Sequence, residues 1–201
     1  RLNRVGAAGD RSGGGSRGGT VGRGAATATD GLGATATCTN IDAGRGTNSN
    51  DSLTGGGSAS LEVFQGLGGA DVIDGGAGIH RVDYSSASLF GGTSGVTVNL
   101  ATGVATDAFG DTDTLISIEQ VEGTSQADTL TGNAGANKLI GNGGADIMSG
   151  GAGDDVFRID SASDVVSGEV IDGGADSDAI TLFSSAIATL ELWSGTGNNV
   201  E

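Results

Sequence analysis

The chain has 201 residues with 41 Gly, no Pro and 3% aromatic residues, and its formal net charge is −16. This composition excludes a large conventional core, because the chain has few big apolar side chains to bury. Residues 46–201 hold three basic and twenty-two acidic residues, which excludes nucleic acid and anionic membranes as partners of that region. No apolar run reaches the length needed for membrane insertion.

Residues 1–45 form a low-complexity segment rich in Gly and Arg. The segment holds six of the nine basic residues, and its stretch RSGGGSRGG (11–19) shows no apolar periodicity. Such a composition predicts a flexible linker or a disordered segment. Arg-Gly clusters also bind RNA, but six Arg residues over this length are too sparse to favour that reading. The single cysteine, Cys38, excludes an internal disulfide bond.

From residue 46 onward the chain repeats a nonapeptide of the form G-G-x-G-x-D-x-U-x, in which U is a large apolar residue. Two adjacent units occupy 66–74 and 75–83, and 46–54 is a degenerate unit. The unit 75–83 has His80 where Asp is expected, and we expect His80 to lie at the surface in a degenerate turn. Zinc binding by His80 and Cys38 is a much weaker alternative, because the chain has only one residue of each type.

Between the repeat blocks, residues 95–103 alternate apolar and other residues, with Val96, Val98 and Leu100 on one face. This period of two predicts a strand. We expect no substantial helix anywhere in the chain.

The second repeat block contains four units in frame, at 123–131, 132–140, 141–149 and 150–158. Their sixth positions lie nine residues apart and are occupied by Asp128, Asn137, Asp146 and Asp155. A weaker unit follows at 173–181, with Asp178 at position six. Residues 118–130 and 190–201 are also similar, at an offset of 72, so we expect the chain to be truncated at its C-terminus inside a further repeat.

The nonapeptide spacing has a direct physical interpretation. The last three residues, x-U-x, predict a short strand with U turned inward, and the first six predict a turn in which Gly allows positive φ and close backbone approach. With two units per coil, every second turn stacks on the same side. Stacked turns bring carboxylates and peptide carbonyls together, and an all-oxygen cluster suits Ca²⁺ better than Mg²⁺, which demands tighter octahedral geometry.

The tandem GNAGANKLIGNGGADIMSGGAGDDVF (132–157) resembles the repeats-in-toxin (RTX, haemolysin-type) calcium-binding repeat family. The resemblance covers 46–201 and is best at 66–83 and 123–158. It implies an all-β protein, a parallel β-roll (β-solenoid) with Ca²⁺ between stacked turns, secretion from a bacterium, and recognition by a one-step (type I) export apparatus. The candidate metal-site residues are Gly66, Gly68, Asp71, Asp128, Asn137, Gly141, Gly143, Asp146, Gly150, Ala152, Asp155, Asp164 and Asp178.

The resemblance also implies how these residues are arranged. Asp128 and Asp146 share one side, extended by Asp164 although its turn lacks the glycines, and Asn137 and Asp155 share the other. Asn137 is neutral and His80 offers no oxygen, so their sites are expected to be weak or vacant.

The function expected is calcium binding that drives the folding of an exported bacterial protein. The chain is not expected to be an enzyme itself, because it has no H-E-x-x-H or G-x-S-x-G motif and its only histidine is His80. One alternative is a non-catalytic C-terminal module of a secreted hydrolase or polysaccharide-modifying enzyme. Another is a structural β-solenoid adhesin segment that contacts polysaccharide or another surface, although its outward residues are not regular.

Overall fold

The computed structural model describes residues 42–56 and 60–183 with their side chains, and also the backbone of four earlier strands. Those strands are β1 (Arg4–Gly6), β2 (Thr20–Gly22), β3 (Ala26–Thr29) and β4 (Thr35–Cys38). The stretch 11–19, the side chain of Cys38 and the repeat-like segment 190–201 lie outside this description.

The described residues form an all-β roll, as the repeats predict. Their only helices are two single 3-10 turns, Ala87–Phe90 and Ala162–Asp164, and none is long and apolar enough to cross a membrane. The remaining strands are β5 (Ala43–Arg45), β6 (Ser52–Thr54), β7 (Glu62–Gln65), β8 (Val72–Asp74), β9 (His80–Asp83), β10 (Thr97–Asn99), β11 (Val104–Thr106), β12 (Thr112–Ile116), β13 (Gln120–Glu122), β14 (Thr129–Thr131), β15 (Lys138–Ile140), β16 (Ile147–Gly151), β17 (Val156–Ile159), β18 (Val170–Gly174) and β19 (Ala179–Leu182).

The strands form two sheets that the chain visits in alternation. The first sheet has the order β1-β5-β7-β9-β13-β15-β17-β19, and the second has the order β18-β16-β14-β10-β11-β12-β8-β6-β2-β3-β4. Within the second repeat block, β14 pairs in parallel with β16 and β15 pairs in parallel with β17. Two nonapeptides therefore make one coil, and every second unit stacks on the same side. The parallel β-roll is thus confirmed.

An insertion interrupts this regular winding in the second sheet. Strands β10, β11 and β12 pair antiparallel with one another, β12 pairs in parallel with β8, and β10 pairs in parallel with β14. In the first sheet β9 and β13 are direct neighbours at the same level. The second sheet therefore holds two strands more than the coil requires, and the stack of turns on its side is divided there.

The core is a narrow double row of inward side chains, one from each short strand. Each comes from the U position or its equivalent, and from Leu53 to Phe157 they are at most 5% exposed. They are Leu53, Phe64, Ile73, Val82, Val98, Leu115, Val121, Leu130, Leu139, Met148 and Phe157, with Ile171 and Ile180 packed against them. A core of single residues contributed by many strands explains how a chain with few large apolar residues forms a fold.

Candidate metal-binding turns

Position six of the nonapeptide lies where a turn ends and a strand begins, two residues before each inward core residue. These residues form two columns. Beside the first sheet lie Glu62, His80, Glu119, Asn137, Asp155 and Asp178, and beside the second sheet lie Asp51, Asp71, Asp113, Asp128, Asp146 and Glu169. All but Glu119 and Glu169 are buried. Apart from His80, the side chains stacked on both flanks of the roll all carry oxygen.

One oxygen of most of these stacked carboxylates accepts a backbone hydrogen bond from the neighbouring coil. The N–H of Asp128 donates to Asp146 Oδ1 at 2.8 Å, and the N–H of Asn137 donates to Asp155 Oδ1 at 2.7 Å. The N–H of Asp155 in turn donates to Asp178 Oδ1 at 3.0 Å. The same bond links Asp51 to Asp71 in the first repeat block, at 2.8 Å. Position six thus connects successive coils as well as its own turn.

The second oxygen of several of these carboxylates has no partner. Oδ2 of Asp71, Asp146, Asp155 and Asp178 is buried without a hydrogen bond. Burial raises the pKa of Asp71 to about 8 and that of Asp128 to about 6, and it also raises the pKa values of Asp146 and Asp155. A buried carboxylate oxygen without a partner is unfavourable unless a proton or a cation meets it. The position-six residues therefore fit a hard, oxygen-preferring cation.

The turn glycines make room for these carboxylates. A Cβ atom on Gly141 would lie 2.9 Å from Cγ of Asp146, and one on Gly150 would lie 2.7 Å from Cγ of Asp155 and 2.6 Å from the carbonyl oxygen of Gly173. Gly66 has the same relation to Asp71. Position one must be Gly because the carboxylate of its own unit fills that space. In the unit 150–158, positions two and four have positive φ, at Gly151 (107°) and Gly153 (96°), which explains the other glycines of that turn.

The surroundings of position three differ from one turn to another. A Cβ atom on Gly68 would lie 2.9 Å from the Phe109 ring, whereas one on Gly143 would meet nothing closer than 3.7 Å. The N–H of Ala152 donates to the carbonyl of Asn133 at 3.2 Å. Within the described residues no three His, Cys, Asp or Glu side chains form a preassembled metal cage. Turn carbonyls must therefore complete the ligand set of any ion held here.

Asp164 makes its hydrogen bonds within its own turn. Its Oδ2 accepts hydrogen bonds from the N–H groups of Asp160 (3.1 Å) and Ser161 (2.9 Å), so its carboxylate caps its own 3-10 turn. The position next to Asp146 in the second column belongs to Glu169, whose Oε2 accepts the N–H of Asp146 at 3.1 Å. Burial and the neighbouring carboxylates raise the pKa of Glu169 to about 7.

The expectation that His80 lies at the surface is wrong. His80 is fully buried at position six of its unit, and its ring lies between two carboxylates. Nε2 is 3.6 Å from Glu62 Oε2, and Nδ1 is 3.3 Å from Glu119 Oε2. The backbone N–H of His80 donates to the same Glu119 oxygen at 2.8 Å, as the position-six Asp residues lead one to expect. His80 is buried because the roll continues through its unit without a break.

Sequence reasoning passed over Asp113, Glu119 and Glu169. Each precedes an inward apolar residue by two positions, as Glu169-Val-Ile and Asp113-Thr-Leu do. A search for D/E-x-U without the preceding glycines finds all three. The segment GEVIDGGAD (168–176) also closely matches ADVIDGGAG (70–78), with Glu in place of Asp.

Short parallel strands, Gly-rich turns and position-six carboxylates stacked from coil to coil define a parallel β-roll. The RTX calcium-binding nonapeptide repeat matches the chain in four copies, over residues 61–79 and 122–157. These two segments are therefore similar to RTX repeats, and repeats of that family bind Ca²⁺. No curated protein matches the chain.

Proposed function

We propose that this chain is a calcium-responsive module of an exported bacterial protein, in which Ca²⁺ bound between stacked turns drives folding. The observation that carries the proposal is the set of buried, unpartnered Oδ2 atoms on Asp71, Asp146, Asp155 and Asp178. Calcium takes about six to eight oxygen ligands in flexible geometry, which suits carboxylates supplemented by carbonyls. The RTX match supports the same ion.

The ligand assignment follows the two columns. Asp71, Asp128 and Asp146 serve the second column, and Asp155 and Asp178 serve the first. The turn residues Gly66, Gly68, Gly141, Gly143, Gly150 and Ala152 contribute carbonyl oxygens. Asn137 supplies a neutral position, since its Oδ1 already accepts the N–H of Asn133 at 2.7 Å. Asp164 acts through its negative charge near Asp146, and Glu169 takes the place first expected for it.

Coupling of calcium to folding follows from charge and core size. A chain with a net charge of −16 repels itself, and its narrow core gives limited apolar burial against that repulsion. An ion that binds the folded state alone stabilises it by an amount that grows with ion concentration. The chain stays loosely folded where Ca²⁺ is scarce and folds where it is abundant, as outside a bacterial cell.

The proposal assigns no catalysis to these residues. The buried carboxylates with raised pKa values could suggest acid–base catalysis, but their positions in the two columns already account for them. A role as the non-catalytic module of a larger secreted hydrolase or polysaccharide-modifying enzyme is compatible with this function. We also retain a boundary between a Gly/Arg-rich segment (1–45) and the calcium-binding roll (46–201).

A second candidate function is contact with an uncharged surface such as a neutral polysaccharide. Across the second sheet one outward row consists of Val170, Ile147, Thr129, Thr97, Thr106 and Thr112. No member of this row is charged, although the protein is strongly acidic.

Retention of variants on an insoluble neutral glucan tests this candidate. Thr106→Glu should reduce retention, whereas Asp74→Asn, which lies outside the row, should not. Equal retention of both variants would remove this candidate.

The calcium proposal is tested by far-UV circular dichroism of the whole chain. We expect β-rich spectra in millimolar Ca²⁺ and a largely disordered spectrum in chelator, with a midpoint at roughly 10⁻⁴–10⁻³ M, as in extracellular calcium modules. Mg²⁺ at equal concentration is the control and should be much less effective. A spectrum and melting point unchanged by chelator would contradict calcium-driven folding.

A further inference from the structure

A small pocket lies where the insertion meets the second repeat block. Residues 85–94, which precede β10, form one wall, and residues 124–126, in the turn that leads into β14, form the other. The N–H groups of Thr93 and Ser94 donate to the carbonyl of Ala108 at 3.0 and 3.3 Å, which ties the first wall to the chain just after β11. None of the proposed metal ligands lines this pocket.

The repeat turn beside the pocket carries side chains where other turns have glycine. It reads G-T-S-Q-A-D over 123–128, whereas the next turn on the same flank, G-N-G-G-A-D over 141–146, has Gly at positions three and four. The Thr124 hydroxyl donates to Asp128 Oδ1 at 3.0 Å and accepts the N–H of Gln126 at 3.0 Å, which fixes the shape of the turn. The departure from the nonapeptide therefore supplies polar side chains to one wall of the pocket.

The pocket has a small apolar floor and a polar, uncharged rim. The floor is its buried lining of Ala87, Gly92 and Ala108. A Cβ atom on Gly92 would lie 2.9 Å from Cβ of Ala108 and 3.1 Å from Cβ of Ala87, so a larger residue would be crowded there. The rim consists of six exposed residues, Ser85, Ser88, Thr93, Ser94, Ser125 and Gln126.

The rim side chains are available for hydrogen bonds to a ligand. The Ser85 hydroxyl donates to Asp83 Oδ1 at 2.6 Å, so its oxygen is left to accept. The other five rim side chains form no hydrogen bond with any residue that the structure describes. No lining residue is charged, although the chain has a net charge of −16. Hydroxyl and amide groups around methyl groups fit a neutral sugar, which presents both hydroxyl and C–H groups. The carboxylates of Asp83 and Asp128, close behind the rim, disfavour an anionic sugar.

The pocket lies at the edge of the second sheet where the uncharged outward row crosses three neighbouring strands. Strands β14, β10 and β11 are adjacent in that sheet, and they carry Thr129, Thr97 and Thr106 of the row. Lining residues of the pocket lie within three residues of each of these threonines in the chain. Because β11 runs antiparallel to β10, the start of β10 and the end of β11 meet at the same edge. The pocket and the row therefore form one continuous uncharged surface.

The size of the pocket limits how much of a glycan it can hold. Its volume is about 70 Å³, little more than that of two water molecules at roughly 30 Å³ each, so it admits only part of one sugar unit. We propose that the pocket binds the terminal unit of a neutral glycan chain, whose following units lie along the row through Thr129, Thr97 and Thr106. This inference deepens the second candidate function, on which it rests, by assigning the site that holds one end of the chain.

Calorimetric titration of the full chain in saturating Ca²⁺ with soluble oligosaccharides tests the pocket. The probes are cellohexaose and maltohexaose, which are uncharged, and hexagalacturonate, which carries carboxylates. We expect one-site binding of a neutral probe and no binding of hexagalacturonate. Ser125→Glu places a charge on the rim and should weaken binding by about tenfold or more. Ala134→Glu is the matched control, because Ala134 is the exposed third position of the next unit, on the opposite flank, and this variant should bind as the parent does.

The outcomes separate the pocket from the row and from the calcium sites. Both variants should keep the calcium-dependent circular dichroism of the parent, and if Ser125→Glu does not fold, Ser88→Glu on the opposite wall decides by the same criterion. Unchanged oligosaccharide affinity in the rim variant, or a parent that binds neither neutral probe, would overturn the pocket. Absence of retention of the parent on insoluble glucan would instead overturn the second candidate function. A dimer that Thr106→Glu dissociates would assign the surface to a second copy of the chain and overturn the inference.

Discussion

At the scale of single residues, position six has two tasks that need different atoms. In Asp146, Oδ1 accepts the N–H of Asp128, and Oδ2 is left buried and free for an ion. The first task needs only an acceptor, which explains why Glu169 can also occupy position six, whereas Asn137 Oδ1 accepts the N–H of Asn133 within its own turn. The second needs negative charge, because each added carboxylate strengthens the attraction for Ca²⁺.

Gly141→Ala should destabilise the roll, because the added methyl group would meet the carboxylate of Asp146. Overpacking of this kind costs about 1–3 kcal/mol. Gly135→Ala is the matched control, since a Cβ there meets only Asn133 Oδ1 at 3.4 Å. Thermal unfolding in saturating Ca²⁺ should show a lower melting temperature for the first variant alone; equal melting temperatures would contradict the role assigned to position one.

The two columns should respond unequally to loss of a carboxylate. Asp146 lies between Asp128 and Glu169, both acidic, whereas Asp155 lies between the neutral Asn137 and Asp178. Asp146→Ala should therefore raise the calcium concentration needed for folding by about tenfold or more, and Asp155→Ala by less.

Calorimetric titration of both variants against the parent measures this difference. If position six served only to cap turns, both substitutions would cost similar stability with and without Ca²⁺. Equal calcium stoichiometry and affinity in the two variants would contradict the unequal columns.

At the scale of elements, the sequence predicted the strands well wherever the nonapeptide was intact. Strands β14 to β17 occupy the x-U-x positions of the second block, and β10 lies within the predicted strand at 95–103. The hairpins that join β10, β11 and β12 were not predicted, because antiparallel pairing within an insertion leaves no trace in the repeat phase. Asp113 and Glu169 were missed for a related reason. Each has an acidic residue at position six, but the turn before it lacks the glycine pattern of the nonapeptide.

Each strand should be held mainly by its one inward residue. Leu139 in β15 is fully buried, whereas Ile147 in β16 is 51% exposed on the outer face. Leu139→Ala should lower the free energy of unfolding by about 2–5 kcal/mol, and Ile147→Ala should change it by roughly 0.5 kcal/mol or less. Denaturant unfolding in saturating Ca²⁺ measures both. A comparable loss in the two variants would show that the outer face contributes as much as the core.

At the scale of the whole molecule, the insertion divides the second column into two runs. Asp51, Asp71 and Asp113 lie on one side of β10 and β11, and Asp128, Asp146 and Glu169 lie on the other. Where the column resumes, the N–H that Asp128 accepts comes from Val96, an apolar residue, at 2.7 Å. The first column continues past the same level, because β9 and β13 are neighbours. We therefore expect any coupling of calcium binding between the two runs to pass through the first sheet rather than through adjacent turns.

Removal of residues 1–45 should leave calcium stoichiometry unchanged, because none of the proposed ligands lies there. A chain that starts at Gly46 loses β5 and exposes the edge of β7, so its melting temperature should fall even though its sites remain. Calorimetric titration of this shortened chain against the whole chain tests the boundary. Loss of more than one bound ion would show that the segment contributes to the sites.

The stability of the metal-free roll should fall as pH rises from about 4 to about 8. Burial raises the folded-state pKa of Asp71 to about 8, those of Asp113 and Glu169 to about 7, and that of Asp128 to about 6. In the unfolded chain these groups titrate near pH 4. Their protonated forms therefore stabilise the fold fully below about pH 4, and this contribution is lost as pH rises through the folded-state pKa values.

Thermal unfolding of protein stripped of divalent ions measures this dependence. The melting temperature at pH 5 should exceed that at pH 8 by roughly 5 °C or more, and saturating Ca²⁺ should remove most of the difference because it replaces the protons. General self-repulsion of the acidic chain acts in the same direction, so Asp71→Asn is the control that isolates the buried group. That variant should show a smaller pH dependence than the parent, and an equal dependence would assign the effect to overall charge. Metal-free stability that rises between pH 5 and pH 8 would contradict the raised pKa values themselves.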